Sequence, residues 1–71
     1  MRTYARAAQV IGAWLDERGM TAAELSRQTE IDAGILRDIV TGRKTSISTR
    51  NLLILARFFG FGMQEMIDLI S

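Results

Sequence analysis

The chain has no cysteine, no histidine and no proline among its 71 residues. Without cysteine there is neither a disulfide staple nor a thiolate metal site. Without histidine the commonest metal ligand and general base are missing too. Carboxylates do occur in pairs, Asp16 with Glu17 and Glu30 with Asp32, but solvated helix ends and capping account for both. Neither an enzyme nor a bound cofactor is expected. Long apolar runs are also lacking: nothing approaches the roughly eighteen residues of a membrane span, so no membrane partner is expected. The N-terminal stretch MRTYARAAQVIGAWLDERG places Arg2 and Arg6 before an apolar middle. Gln9 breaks that middle and Asp16, Glu17 and Arg18 close it, which is not the uninterrupted core of a signal peptide. A cytoplasmic location is expected, and the lack of cysteine suits it.

A chain this short makes one domain, residues 1 to 71, in which about 60% of the unfolded surface can be buried. The absence of proline leaves helices uninterrupted, and apolar residues recur at spacings of three and four, so the expected fold class is all-α. The first helix carries the stripe Tyr4, Ala7, Ala8, Ile11, Trp14 and Leu15, with Thr3 as its expected N-cap and Gly19 as its stop. Gly12 weakens that helix by roughly 1 kcal/mol relative to alanine, a loss expected to be offset by a close helix contact.

Three further starts obey one rule. An apolar residue precedes a capping residue, and a second apolar residue follows five positions after the first: Met20, Thr21, Leu25; Ile31, Asp32, Leu36; Ile47, Ser48, Leu52. This is the hydrophobic-staple spacing, and Thr21 with Glu24 adds a capping box. Helices are therefore expected to start near residues 22, 33 and 49. Gly42 and Gly60 mark ends, and a last helix is expected over Met63 to Ile70. The expected whole is a compact five-helix domain.

The net charge of +1 conceals an uneven distribution. Residues 1 to 36 hold four basic and five acidic groups, residues 37 to 57 hold five basic groups against Asp38 alone, and residues 58 to 71 hold only Glu65 and Asp68. A basic edge of that size suits a phosphate backbone. Helices two and three are joined by about three residues, the proportions of a helix-turn-helix unit. Leu25, Ile31, Leu36 and Ile39 fall where such a unit pins its helices together, and Ser26 is small where they approach.

These residues carry a resemblance. The runs ERGMTAAELS at 17 to 26, IDAGILRDIVTGRK at 31 to 44 and ISTRNLLILARFFGF at 47 to 61 resemble the lambda-repressor-like helix-turn-helix proteins of the Xre and Cro type. The chain is similar above all to the short controller proteins of restriction-modification systems and to phage repressors, over residues 8 to 68. The resemblance implies that the helix from Ala33 to Thr41 enters the major groove of double-stranded DNA. It also implies a homodimeric transcriptional regulator on paired half-sites. The chain departs from that pattern at Ala22 and Ala33, where the family often has polar DNA contacts, at Glu30, where it has glycine, and at Val40, where many members have glutamate. Glu30 is accordingly expected in a left-handed conformation.

The expected base readers are Ala33, Gly34, Arg37, Asp38 and Thr41. Arg37 can meet guanine bidentately, Thr41 a base, a phosphate or a thymine methyl, and Asp38 cytosine N4. Ala33 and Gly34 are expected to let the helix end approach the duplex closely and offer it free amides. Thr21, Arg27, Arg43, Lys44, Thr45, Ser46, Thr49 and Arg50 are the expected phosphate contacts. An exposed apolar end formed by Phe58, Phe61, Met63, Met66, Ile67 and Ile70 is the expected dimer interface. A reading of another class stays open: an antitoxin-like or anti-repressor module that uses that end to bind a protein partner, such as a toxin or another regulator.

Overall fold

A computed structural model describes residues 2–71; of the single domain expected over residues 1 to 71, Met1 lies outside the described residues. The element order is β1 (Arg2–Thr3), α1 (Ala7–Arg18), α2 (Ala22–Thr29), α3 (Ala33–Val40), β2 (Ser46–Ile47), α4 (Thr49–Phe59) and α5 (Met63–Ile70).

The helix starts fall where the capping pattern places them. Thr21 Oγ1 accepts from Glu24 N–H at 3.1 Å while Glu24 Oε1 accepts from Thr21 N–H at 3.2 Å. Asp32 Oδ2 accepts from Ile35 N–H at 3.1 Å, and Ser48 Oγ from Asn51 N–H at 3.1 Å. Each cap satisfies an amide that has no partner inside its own helix. Of the staple residues, Leu25, Ile31, Leu36, Ile47 and Leu52 are buried and Met20 packs on the core from its edge. Gly19 and Gly60 close α1 and α4 in left-handed conformations at φ 61° and 85°.

The turn between α2 and α3 is built from side chains as much as from backbone. The Ser26 hydroxyl donates to the Ile31 carbonyl, so this position is used for a hydrogen bond and not only for small size. The Thr29 hydroxyl, with its residue 8% exposed, donates to the Leu25 carbonyl at 2.7 Å and accepts from Ile31 N–H at 3.3 Å. Glu30 takes the left-handed conformation at φ 62°, and it is the one non-glycine residue with positive φ among the described residues.

Three local expectations give way. Thr3 does not cap α1, which starts at Ala7 after Arg6 without a side-chain cap; Thr3 lies instead in a short antiparallel ladder, Arg2 opposite Ile47 and Thr3 opposite Ser46. Too short to show alternation, that ladder has no period for a sequence to display. Gly12 makes no close helix contact, for a Cβ there would meet nothing within 4 Å.

The third correction concerns the apolar end. Met66 and Ile70 are both 0% exposed, because α5 packs on α1 and α4 with these two side chains turned inward. Burying each contributes roughly 1.5–3 kcal/mol. They therefore belong to the core and cannot line an interface. Phe61 stacks on Trp14 with ring centroids 5.0 Å apart, and Trp14 also meets Phe59 at 4.8 Å. Phe58, Phe61, Met63 and Ile67 are half-buried against the core. The large apolar side chains that are exposed are Leu53 and Leu69, at 39% and 38%. No helix among the described residues is long and apolar enough to cross a membrane.

Candidate nucleic-acid interface

Packing decides which face of α3 is available. Leu36 and Ile39 are fully buried, while Ala33, Ile35, Asp38 and Val40 are half-buried. Gly34, Arg37 and Thr41 remain exposed, and with Asp38 they occupy positions i, i+3, i+4 and i+7, a single stripe down the outer surface. The candidate readers thus share one face. Ala33 stands at its margin.

The chemistry of that stripe is narrower than its composition suggests. The Thr41 hydroxyl donates to the Arg37 carbonyl at 2.7 Å, so its proton is committed within the chain. What is left to an exposed Thr41 is a hydroxyl oxygen able to accept, beside its methyl group. A phosphate oxygen cannot donate to it, so the partners it suits are a base amino group and a thymine methyl. Arg37 is the one cation on the stripe.

The N-terminus of α3 is not an empty anion site. Asp32 Oδ2 already holds Ile35 N–H, and a Cβ at Gly34 would lie 2.9 Å from the same oxygen. Glycine at position 34 is thereby explained locally, by room for the cap, in addition to any room for a duplex. The cap also sets a negative charge at the end of the helix where phosphate is expected.

The basic edge follows directly. Past Thr41, Gly42 turns at φ 79°, and Lys44 N–H donates to the Asp38 carbonyl at 2.9 Å. This folds the loop back beside the C-terminal end of α3. Arg43, Lys44 and Thr45 are exposed, Ser46 is half-buried in β2, and Thr49 and Arg50 are exposed on the first turn of α4. The structure therefore brings together six of the eight candidate phosphate contacts. Thr21 and Arg27 stand apart on α2; both are exposed, but the Thr21 hydroxyl is occupied in its capping box.

Two further residues beside this edge were not singled out from the sequence. Asn51 lines a groove of about 210 Å³ with Ile35, Ile39, Lys44, Ser46, Ile47 and Ser48, between α3 and the basic loop. That volume is below the roughly 300–1,000 Å³ usual for a small-molecule site. Arg2 is the second, carried to the same edge by β1, with its guanidinium 5.9 Å above the Tyr4 ring. The spacing of Asn51 from the Ser48 cap was available as a signal; for Arg2 the sequence held none.

No curated protein and no solved structure matches the chain. A family model does: that of the Cro/C1-type helix-turn-helix DNA-binding domain matches residues 11–71, which takes in all five helices except the first turn of α1 and leaves out β1. With that match over most of its length, and with α2 and α3 forming the helix-turn-helix that the family is named for, the chain belongs to the Cro/C1-type helix-turn-helix DNA-binding domains.

Proposed function

We propose that the protein is a transcriptional repressor that binds paired operator half-sites as a homodimer. The observation that carries this reading is the outer stripe of α3, Gly34, Arg37, Asp38 and Thr41, left uncovered by the fold and flanked directly by the basic loop. A helix presented in this way fits a major groove about 12 Å wide. Arg37 reads guanine and Thr41 reads a thymine methyl or a base amino group. Arg43, Lys44, Thr45, Ser46, Thr49 and Arg50 hold the phosphates on one side and Arg27 on the other, fixing register without carrying sequence information. Ala33 keeps the approach close.

This reading asks for binding alone. A repressor needs nothing more than occupancy of DNA that polymerase must use. The dimer forms through the half-buried Phe58, Phe61, Met63 and Ile67 together with exposed Leu69, which sets two α3 helices about one DNA turn apart.

The test is selection of duplexes from a random pool by the purified protein, followed by binding of the preferred sequence across a salt series. An inverted repeat with centres about 10 base pairs apart and a steep salt slope supports the reading. A preferred single half-site removes the dimer from it. No enrichment above non-specific binding leaves the apolar end as the functional surface, and a protein partner such as a toxin or another regulator becomes the reading to pursue.

A further inference from the structure

The segment before α1 lies outside the family match, which begins at residue 11, so the family does not account for what it does. Its contacts reach two distant places. Arg2 and Thr3 pair with Ile47 and Ser46, and Tyr4 N–H donates to the Thr45 carbonyl at 2.7 Å. Two residues later Arg6 N–H donates to the Ile70 carbonyl at 2.8 Å, at the end of α5. Tyr4 itself is only 3% exposed and fixes the segment to the core between these points. Residues 2 to 6 are thus a strap from the basic loop to the C-terminal end of the fold.

We propose that β1 is a positioning element for DNA binding: it holds the Arg43–Ile47 loop in its phosphate-contacting shape before DNA arrives. The inference rests on the reading that Arg43 and Lys44 touch phosphate. Its physical content is preorganisation. The loop is tied at its start by Lys44 N–H on the Asp38 carbonyl, and its end is held by β1 together with Tyr4 N–H on the Thr45 carbonyl and the buried Ile47 side chain. A residue that must be ordered during binding weakens the complex by roughly five- to thirtyfold. Freeing the end of the loop moves that loss from folding to binding.

The probe is a labelled random-sequence duplex of about 20 base pairs at low salt, where phosphate contacts dominate. Four variants are compared with the full chain: one lacking Arg2 and Thr3, Arg2→Gln, Arg43→Ala/Lys44→Ala, and the last combined with the deletion. The deletion keeps Tyr4 and so keeps the core. It is expected to weaken binding about tenfold, whereas Arg2→Gln, which keeps the ladder, loses no more than about threefold. In the combined variant the deletion is expected to add much less than it costs alone, since a loop without its cations has only the Thr45 and Ser46 hydroxyls left to position.

Additive losses in the combined variant overturn the inference, and so does an Arg2→Gln loss as large as that of the deletion, which makes Arg2 a direct contact. An Arg43→Ala/Lys44→Ala variant that binds like the full chain overturns the phosphate reading beneath it as well. Should the deletion fail to fold, hydrogen exchange on the intact protein decides. The amide of Ile47, which the register turns toward β1, is expected to be protected before DNA is added, and exchange there at unstructured rates overturns the proposal.

Discussion

Asp32→Asn is expected to lower the stability of the protein and raise its affinity for DNA. The N-cap hydrogen bond to Ile35 N–H, 3.1 Å in the native chain, survives, because asparagine caps as well as aspartate. What is lost is the favourable meeting of a carboxylate with the positive end of α3, about 0.3–1 kcal/mol. For a domain of this size that lowers the melting temperature by about 1–8 °C. The same carboxylate is exposed and stands where the docked helix meets the backbone of the duplex. A phosphate about 7 Å from it repels it by about 0.6 kcal/mol in water, and two phosphates within a Debye length at low salt bring the sum to about 1 kcal/mol. Relief of that repulsion strengthens binding about fivefold.

Melting curves and fluorescence anisotropy on the two proteins measure both quantities, at low salt and again at about 0.5 M, where screening shortens the reach of the charge to less than about 5 Å. The two signs are opposed, which a general loss of structure cannot imitate. An affinity at low salt equal to or below that of the native chain refutes the reasoning: Asp32 then does not face the duplex, and α3 does not dock by its N-terminal half. A gain that persists at high salt refutes the electrostatic cause.

Three other outcomes follow from the same geometry. Arg37→Ala is expected to relax preference at one base step per half-site, lowering discrimination there by about 1–3 kcal/mol, and an unchanged preferred sequence in a selection removes Arg37 from the readers. Glu30→Gly is expected to stabilise the fold, since the left-handed strain at φ 62°, about 1–2 kcal/mol, exceeds the roughly 0.4–1 kcal/mol that glycine adds to the unfolded chain's entropy; a lower melting temperature contradicts this. Leu69→Asp, at a side chain 38% exposed, is expected to abolish the proposed dimer in sedimentation while the melting curve of dilute protein stays put.

Helices α2, α3 and α4 were legible because each is announced twice, by an apolar period and by a cap, whereas α1 has no side-chain cap and showed only its period. Thr21, Asp32 and Ser48 all make the bonds their positions imply, and α5 runs over Met63–Ile70 as its apolar residues indicate. The left-handed turn at Glu30 was legible for another reason, the resemblance, since glycine usually stands at that position in the family. The β1–β2 ladder was not. Its partners lie more than forty positions apart, and a strand of two residues has no pattern of its own. Burial at the C-terminal end was misjudged for a different cause. Counting apolar side chains against a small core shows that some are exposed but not which, and the orientation of α5 decides in favour of Leu69 over Met66 and Ile70. The candidate readers on α3 came from the resemblance together with helical spacing, and spacing accounts for the exposure of Gly34, Arg37 and Thr41, whereas the internal use of the Thr41 proton depends on a rotamer that spacing does not specify.

That lost proton bears on the proposed pairing of two subunits. With Thr41 limited to accepting and to apolar contact, and with Gly34 and Ala33 lacking polar side chains, one α3 helix offers a single bidentate reader, Arg37, worth about 1–3 kcal/mol of discrimination. Specific operators are separated from bulk DNA by about 4–10 kcal/mol. A monomer falls short of that range, and doubling its one strong contact brings the sum only to about 2–6 kcal/mol. The remainder has to come from contacts that do not name bases: phosphate registration by the Arg43–Arg50 edge, and the energy of deforming the duplex to fit two helices at a fixed separation. Both depend on rigid geometry more than on reader chemistry. A sparse reader therefore places its demand for precision on the elements that hold position, the basic loop and, in the proposed dimer, the surface joining its subunits.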